Sequence, residues 1–325
     1  MFNTKNLVLE ESNIPSYWVF QYYLNLPEPL TGQDIKITSI FNPGEKTPSF
    51  CVYVDTKINQ YKFKDFSTGR GGNKIDLVKM LFDIEYPAAS MKIVKDYNTY
   101  IKTDGFKEIN FKPAAKWNVD FVKTRLWNET DSKYWLSFRI GKSILMEYNV
   151  QPIEYYNLIK SETDQVKVLK IEGKSLYGYC NKAGEVYKIY QPTSSKHKFH
   201  KVKSHLQGYD QLEFNKPYLV ICSSLKDALC LKSMGYNIEV IAPDSENTMI
   251  KPHVIEHLKK KYKKVITLFD NDEAGLNAVE KYANAYKING FVLTICKDIS
   301  DAMKEHGFEK VHAHLKPLLK LTLKQ

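Results

Sequence analysis

The chain has no run of ~18 consecutive apolar residues, so no membrane-spanning helix is expected. Its first residues, MFNTKNLVLEESNIPSYW, lack a basic segment followed by an apolar stretch, and no secretory signal is read there. Cysteine is sparse: Cys51, Cys180, Cys222, Cys230 and Cys296 are scattered, and no C-x-x-C pair occurs. That pattern excludes a disulfide framework and a four-cysteine zinc site, places the cysteines in the core, and suits a reducing cytoplasm. No Walker A loop is present, so no ATPase or helicase motor is expected. Internal repeats and low-complexity tracts are also missing.

What is present is a basic chain of ordinary apolar content. The 325 residues are 43% hydrophobic and carry a net charge of +10. That length suits two or three domains of roughly 100–200 residues. Excess Lys and Arg favour an anionic partner, because they release counterions condensed on phosphate backbones. An AT-rich coding sequence also inflates Lys, and a solvated basic surface would look the same.

Three regions differ in pattern. Residues 1–110 mix aromatic-rich segments with a Gly-rich turn at Ser67–Gly72. Residues 111–210 are rich in Tyr and Trp, with alternating stretches such as Val186–Tyr190. Residues 211–325 alternate apolar strands with helices, with strands expected at Tyr218–Cys222, Ile238–Ala242, Val265–Phe269 and Phe291–Ile295. Linkers are read at Thr103–Ala115 and Gln207–Pro217, where Gly and Pro interrupt the patterns. Short apolar strands separated by helices imply a buried parallel sheet with right-handed crossovers. The ligand site of such a sheet lies beyond the carboxyl ends of its strands.

Acidic residues follow each of those ends: Asp227 after strand one, Asp244 and Glu246 after strand two, Asp270, Asp272 and Glu273 after strand three, and Asp298 and Asp301 after strand four. Clustered carboxylates repel one another, and Mg²⁺ or Mn²⁺ with oxygen ligands is the natural compensation. Helix N-capping explains an isolated Asp at a helix start, but not a carboxylate after every strand.

The residues then match a family. VITLFDNDEAGLNAVEKYA, residues 265–283, resembles the Asp-x-Asp segment of the TOPRIM domain shared by DnaG-type primases, topoisomerases and some nucleases. The resemblance implies that Asp270 and Asp272 are metal ligands and that Asp270 serves catalysis. KDISDAMKE, residues 297–305, is similar to the acidic segment after the fourth strand in primases and implicates Asp298 as a ligand, with Asp301 beside it. LVICSSLKDALCL, residues 219–231, resembles the first TOPRIM segment, with Asp227 at a catalytic position. The Glu-Gly pair of that segment is replaced by Ser223-Ser224. A hydroxyl is no base at neutral pH, so Glu246 is read as the relocated carboxylate, with Asp244 as its competitor.

Residues 44–89, GEKTPSFCVYVDTKINQYKFKDFSTGRGGNKIDLVKMLFDIEYPAA, resemble the zinc-ribbon domain of DnaG-type primases. The positions of its four zinc ligands hold Ile40, Pro43, Asp65 and Thr68. No soft ligand remains there, so no zinc is expected and packing and hydrogen bonds should serve as the staple. The two resemblances imply an α/β and α+β chain: a zinc-less ribbon-like domain at 1–110, the N-terminal part of a primase polymerase core at 111–210, and a TOPRIM catalytic domain at 211–325. They imply a primase of phage or mobile-element type, with Mg²⁺ or Mn²⁺, a single-stranded DNA template, ribonucleoside triphosphates and a replicative helicase as partners, and no membrane. A TOPRIM nuclease and a degenerate DNA-binding protein are the alternatives.

The segment YKIYQPTSSKHKFHKVKS, residues 187–204, interleaves Lys196, Lys198, Lys201 and Lys203 with Tyr190, His197, Phe199 and His200. Cations that follow phosphates and rings that stack on bases suit single-stranded nucleic acid; a solvated hairpin is the alternative. His253 and His257 are spaced i, i+4 without an apparent third ligand and are read as an exposed helix face, which the Lys259–Lys264 run then ends.

Overall fold

The computed structural model describes residues 11–26, 28–104, 117–162, 165–194, 197–245 and 248–324. The chain divides into two compact units, Met1–Ala115 and Lys116–Gln325.

In the first unit, helix α1 (Ser16–Leu24) precedes strands β1 (Ile35–Ile37), β2 (Phe50–Asp55), β3 (Gln60–Asp65) and β4 (Gly71–Gly72), then helices α2 (Lys74–Phe82) and α3 (Tyr86–Asp104). The strands form one antiparallel sheet in sequence order. β2 and β3 bury alternate residues, so Phe50, Val52, Val54, Tyr61 and Phe63 meet Phe20 and Leu77 in one core. Asn73 starts α2 through a capping box: its side chain accepts the N–H groups of Ile75 and Asp76, and Asp76 accepts that of Asn73.

Asp65, which the zinc-ribbon resemblance aligns with a ligand position, is the last residue of β3. Its carboxylate is fully buried. It accepts the hydroxyls of Ser39 and Thr68, both at 2.6 Å, that of Ser67 at 2.9 Å, and the Ser67 N–H at 3.1 Å. Burial pushes the Asp65 pKa up, but the bonds from Ser39, Thr68 and Ser67 outweigh it and hold the pKa below the usual carboxylate value.

The second unit begins with β5 (Asn118–Thr124), α4 (Glu129–Leu136), α5 (Lys142–Glu147), β6 (Val150–Glu162), β7 (Gln165–Glu172), β8 (Tyr177–Cys180), β9 (Val186–Tyr190) and β10 (Phe199–Lys201). These strands make an antiparallel sheet in the order β10-β9-β8-β6-β5, with β7 also paired to β6. The alternation read at Val186–Tyr190 does not produce a solvent face. Tyr187 and Tyr190 enter one core and Ile189 another, and Lys188 is buried with them.

The parallel sheet follows: β11 (Tyr218–Cys222), α6 (Leu225–Ser233), β12 (Ile238–Ile241), α7 (Pro252–Lys261), β13 (Lys264–Phe269), α8 (Glu273–Tyr286), β14 (Gly290–Val292) and α9 (Ile299–Lys324), which is broken at Gly307. Strand order is β12-β11-β13-β14, all pairs parallel. Val220 and Cys222 of β11 face a core with residues of α6 and α9, while Leu219 and Ile221 face one with residues of α7 and α8. Burial on both faces explains the continuous apolar runs. The fourth strand ends at Val292 rather than Ile295, because Val292 pairs with Phe269, the last residue of β13. The same core that takes Val220 and Leu229 holds Trp135, Tyr148, Tyr177 and Tyr179, so the antiparallel and parallel sheets share one interior. Among the described residues no helix is long and apolar enough to cross a membrane.

Candidate active site

Three carboxylates meet at the carboxyl edge of the parallel sheet. One ligand atom from each of Asp227, Asp270 and Asp298 lies within 4.8 Å of the others. Local chemistry places each one. Ser224 caps α6 by accepting the Asp227 N–H, and its hydroxyl donates back to the Asp227 carboxylate. Asp270 follows the last residue of β13. Gly275 lets α8 start against it, since a Cβ there would lie 2.0 Å from the Asp270 carbonyl oxygen. Asp298 opens α9 by accepting the Asp301 N–H at 2.7 Å.

Ser300 links two of the three. Its hydroxyl lies 2.6 Å from Asp227 Oδ1 and 2.8 Å from Asp298 Oδ1. One hydroxyl hydrogen cannot serve two ionised carboxylates. Burial, then the charges of Asp298 and Asp270, raise the Asp227 pKa to about 7, against the opposing effects of Lys226 and Ser224. The donor set is all oxygen, crowded and acidic, and it fits a hard divalent cation, which would relieve the repulsion.

Asp272 stands differently. Its Oδ1 accepts the Gly275 N–H at 2.9 Å as the N-cap of α8, and its Oδ2 pairs with Lys297 at 2.9 Å. Burial raises its pKa, but the Gly275 N–H and Lys297 outweigh that and lower it. The Lys297 ammonium also lies 4.0 Å from Asp270. It therefore balances the charge of the Asp-x-Asp segment from the side. Asp301 faces Lys226 at 3.7 Å.

Ser223, at the position of the expected Glu, is buried, and its hydroxyl accepts the Asp270 N–H at 2.8 Å. Glu246 lies outside the described residues. Strands β11 and β12, whose ends carry Ser223 and Asp244, are direct neighbours. The carboxylate of Asp244 pairs with Lys201, and its carbonyl accepts the Lys188 ammonium at 2.6 Å.

Of the predicted nucleic-acid residues, Lys196 lies outside the described residues. Lys198 and Phe199 are exposed, Lys201 is bound to Asp244, and Lys203 to Glu185. Tyr190 is buried and stacked beneath Phe199 at 4.9 Å, so the outer ring alone meets solvent. Lys188 escaped the sequence reading because strand alternation does not reveal a lysine buried on a central strand. Burial brings its pKa down to about 8, against the pull of Asp244. His253 and His257 are both exposed on α7.

A family model described as Toprim-like matches residues 220–305. Among solved structures, the chain is similar to the zinc-binding and RNA polymerase domains of Aquifex aeolicus primase, at 19% identity and a TM-score of 0.43, over 97% of this chain and 83% of that one. It is also similar to the primase fragment of the bacteriophage T7 primase-helicase protein, at 19% identity and a TM-score of 0.36, over 64% of this chain and 81% of that one. No curated protein matches the chain. Sequence match, parallel sheet and acidic edge coincide, and residues 220–305 are a Toprim-like domain.

Proposed function

We propose that the protein is a DNA primase that synthesises short RNA primers on single-stranded DNA by metal-dependent nucleotidyl transfer. The observation that carries this reading is the meeting of Asp227, Asp270 and Asp298 at the carboxyl edge of the Toprim-like sheet. The order of motifs supports it: the segment similar to a primase zinc ribbon, residues 44–89, precedes the Asp-x-Asp segment on one chain. In this reading residues 1–110 are a ribbon-like domain stapled without zinc, 111–210 begin the polymerase core and follow single-stranded DNA, and 211–325 carry catalysis. The protein works in the cytoplasm beside a replicative helicase.

The 3′-hydroxyl of one ribonucleotide attacks the α-phosphate of the next. A P–O bond forms, the α–β anhydride breaks, pyrophosphate leaves and the hydroxyl proton passes to a carboxylate. Bound Mg²⁺ or Mn²⁺ supplies charge neutralisation on the triphosphate and orientation of the leaving pyrophosphate. Asp270 and Asp298 would hold the cation. Asp227 joins them and fixes Ser300, hence the start of α9. Asp272 keeps Lys297 at the rim of the centre. Glu246, which lies outside the described residues, supplies the carboxylate that Ser223 lacks.

A second reading, a DNA-binding protein without catalysis, is favoured by the hydroxyl of Ser223 at the place of the expected Glu. An assay with single-stranded DNA, labelled ribonucleotides and Mg²⁺ or Mn²⁺ separates the two. Primers of short length, lost in Asp270→Ala, support the primase. DNA binding without product supports the second reading, and cleavage of labelled DNA would make the domain a nuclease.

A further inference from the structure

We propose that Cys296, Glu305 and His306 form a separate three-ligand site for Zn²⁺. The Cys296 Sγ lies 3.3 Å from Glu305 Oε2 and 3.7 Å from His306 Nε2. A ligand atom from each of the three lies within 4.8 Å of the others. Tetrahedral Zn²⁺, with bonds of about 2.0–2.3 Å to sulfur, nitrogen and oxygen, sets its ligand atoms about 3.3–3.6 Å apart. The two distances from sulfur, 3.3 and 3.7 Å, lie close to that spacing.

The donor set decides the metal. Thiolate and imidazole select Zn²⁺ over Mg²⁺, whereas the all-oxygen edge of Asp227, Asp270 and Asp298 also suits Mg²⁺ or Mn²⁺. Two sites of different donor chemistry thus lie along one stretch of chain, since Asp298 follows Cys296 by two residues. A simple thiol–carboxylate contact explains the geometry less well. A thiol is a weak donor, and Glu305 is exposed, so water would compete for its carboxylate at little cost.

The backbone accounts for two adjacent ligands. Neighbouring residues on a helix point about 100° apart, which ordinarily separates their side chains. The helix is broken immediately after His306, where Gly307 takes φ 74° and ψ 171°. Cys296 comes from the segment leading into α9 and lies back against its second turn. Binding would replace the thiol hydrogen: an S–Zn bond forms, the proton leaves to solvent, and water fills the fourth position. The metal would clamp the segment that carries Lys297 and Asp298 to α9. This site does not rest on the primer-synthesis reading, and it departs from the sequence expectation of no zinc, which rests on residues 40–68.

Titration of the full-length protein with Co²⁺ alone tests it. One equivalent should give thiolate-to-cobalt charge-transfer absorption that Zn²⁺ abolishes and excess Mg²⁺ leaves in place. Cys296→Ser should remove the absorption and Cys51→Ser should keep it. His306→Ala and Glu305→Gln should weaken Co²⁺ binding by more than the ~10–100-fold that loss of an outer hydrogen-bonding partner costs. Circular dichroism on each variant confirms the fold. No thiolate band in the wild-type protein, a band that survives Cys296→Ser, or unchanged affinity in His306→Ala would each overturn the proposal.

Discussion

The hydroxyl of Ser223 accepts the backbone N–H of Asp270 at 2.8 Å, tying the carboxyl ends of β11 and β13 together beside the acidic centre. Ser223 is thus a cross-link in the place where a base was expected. Ser223→Ala leaves that N–H without its acceptor and should cost about 1–2 kcal/mol in denaturant unfolding. Its effect on primer synthesis should be small beside that of Glu246→Gln, which should slow the chemical step ~100-fold, the scale of a lost acid/base group. A slower enzyme from Ser223→Ala than from Glu246→Gln would remove Glu246 from the proposed role.

Asp270→Ala should abolish primer synthesis with the fold intact. Asp270 raises the Asp227 pKa, so its removal lessens repulsion among the clustered carboxylates. The thermal midpoint of the metal-free variant should therefore be no lower than that of the wild type. Wild-type primer yield from this variant would refute the assignment.

Lys297 pairs with Asp272 at 2.9 Å and approaches Asp270 at 4.0 Å while its own side chain is 58% exposed. A cation entering the centre competes with this ammonium. Lys297→Met should tighten Mn²⁺ binding, read by calorimetry, by up to about fivefold, since exposed pairs contribute about 0–1 kcal/mol. Weaker binding in the variant would show that Lys297 supports the centre instead of competing there.

Asp65 gathers hydroxyls from Ser39, Ser67 and Thr68 inside the first unit. Asp65→Ala strands those groups and should destabilise this unit by about 2–4 kcal/mol, given ~1.5–3 kcal/mol for a hydrogen bond to a charged group and the partial relaxation of its partners. Added zinc should not restore it. The pH dependence has a defined sign. The folded pKa lies below the unfolded value, so the stabilisation is present above about pH 4 and lost as pH falls through the folded pKa. Thermal melts of wild type and variant should converge in that acid range.

Lys198 is exposed, whereas Lys201 and Lys203 are held by Asp244 and Glu185. Lys198→Gln should lower the slope of log affinity for single-stranded DNA against log salt by about 0.7, the release expected from one lost phosphate contact on a single strand. Lys203→Gln should change it less, because its charge already has a partner. Equal slopes for wild type and Lys198→Gln would assign the hairpin to structure alone.

Much of the parallel-sheet region was legible in the sequence because its signals are local. Tyr218–Cys222 and Val265–Phe269 are apolar on both faces, and the acidic residues follow their ends directly. Tertiary structure decided what depends on distant partners. It brought Asp227 to Asp270 and Asp298, and turned Asp272 toward a helix N-terminus and Lys297. It buried Lys188 and Tyr190 where strand alternation suggested a wet hairpin, because both faces of β9 are covered. It also set Cys296 against Glu305 and His306, residues whose spacing matches no zinc motif. Periodicity reports which face of an element is apolar. The partner of a charge or a thiol is set by how the chain returns on itself, and here the register of β13 with β14 and the start of α9 at Ile299 set that return.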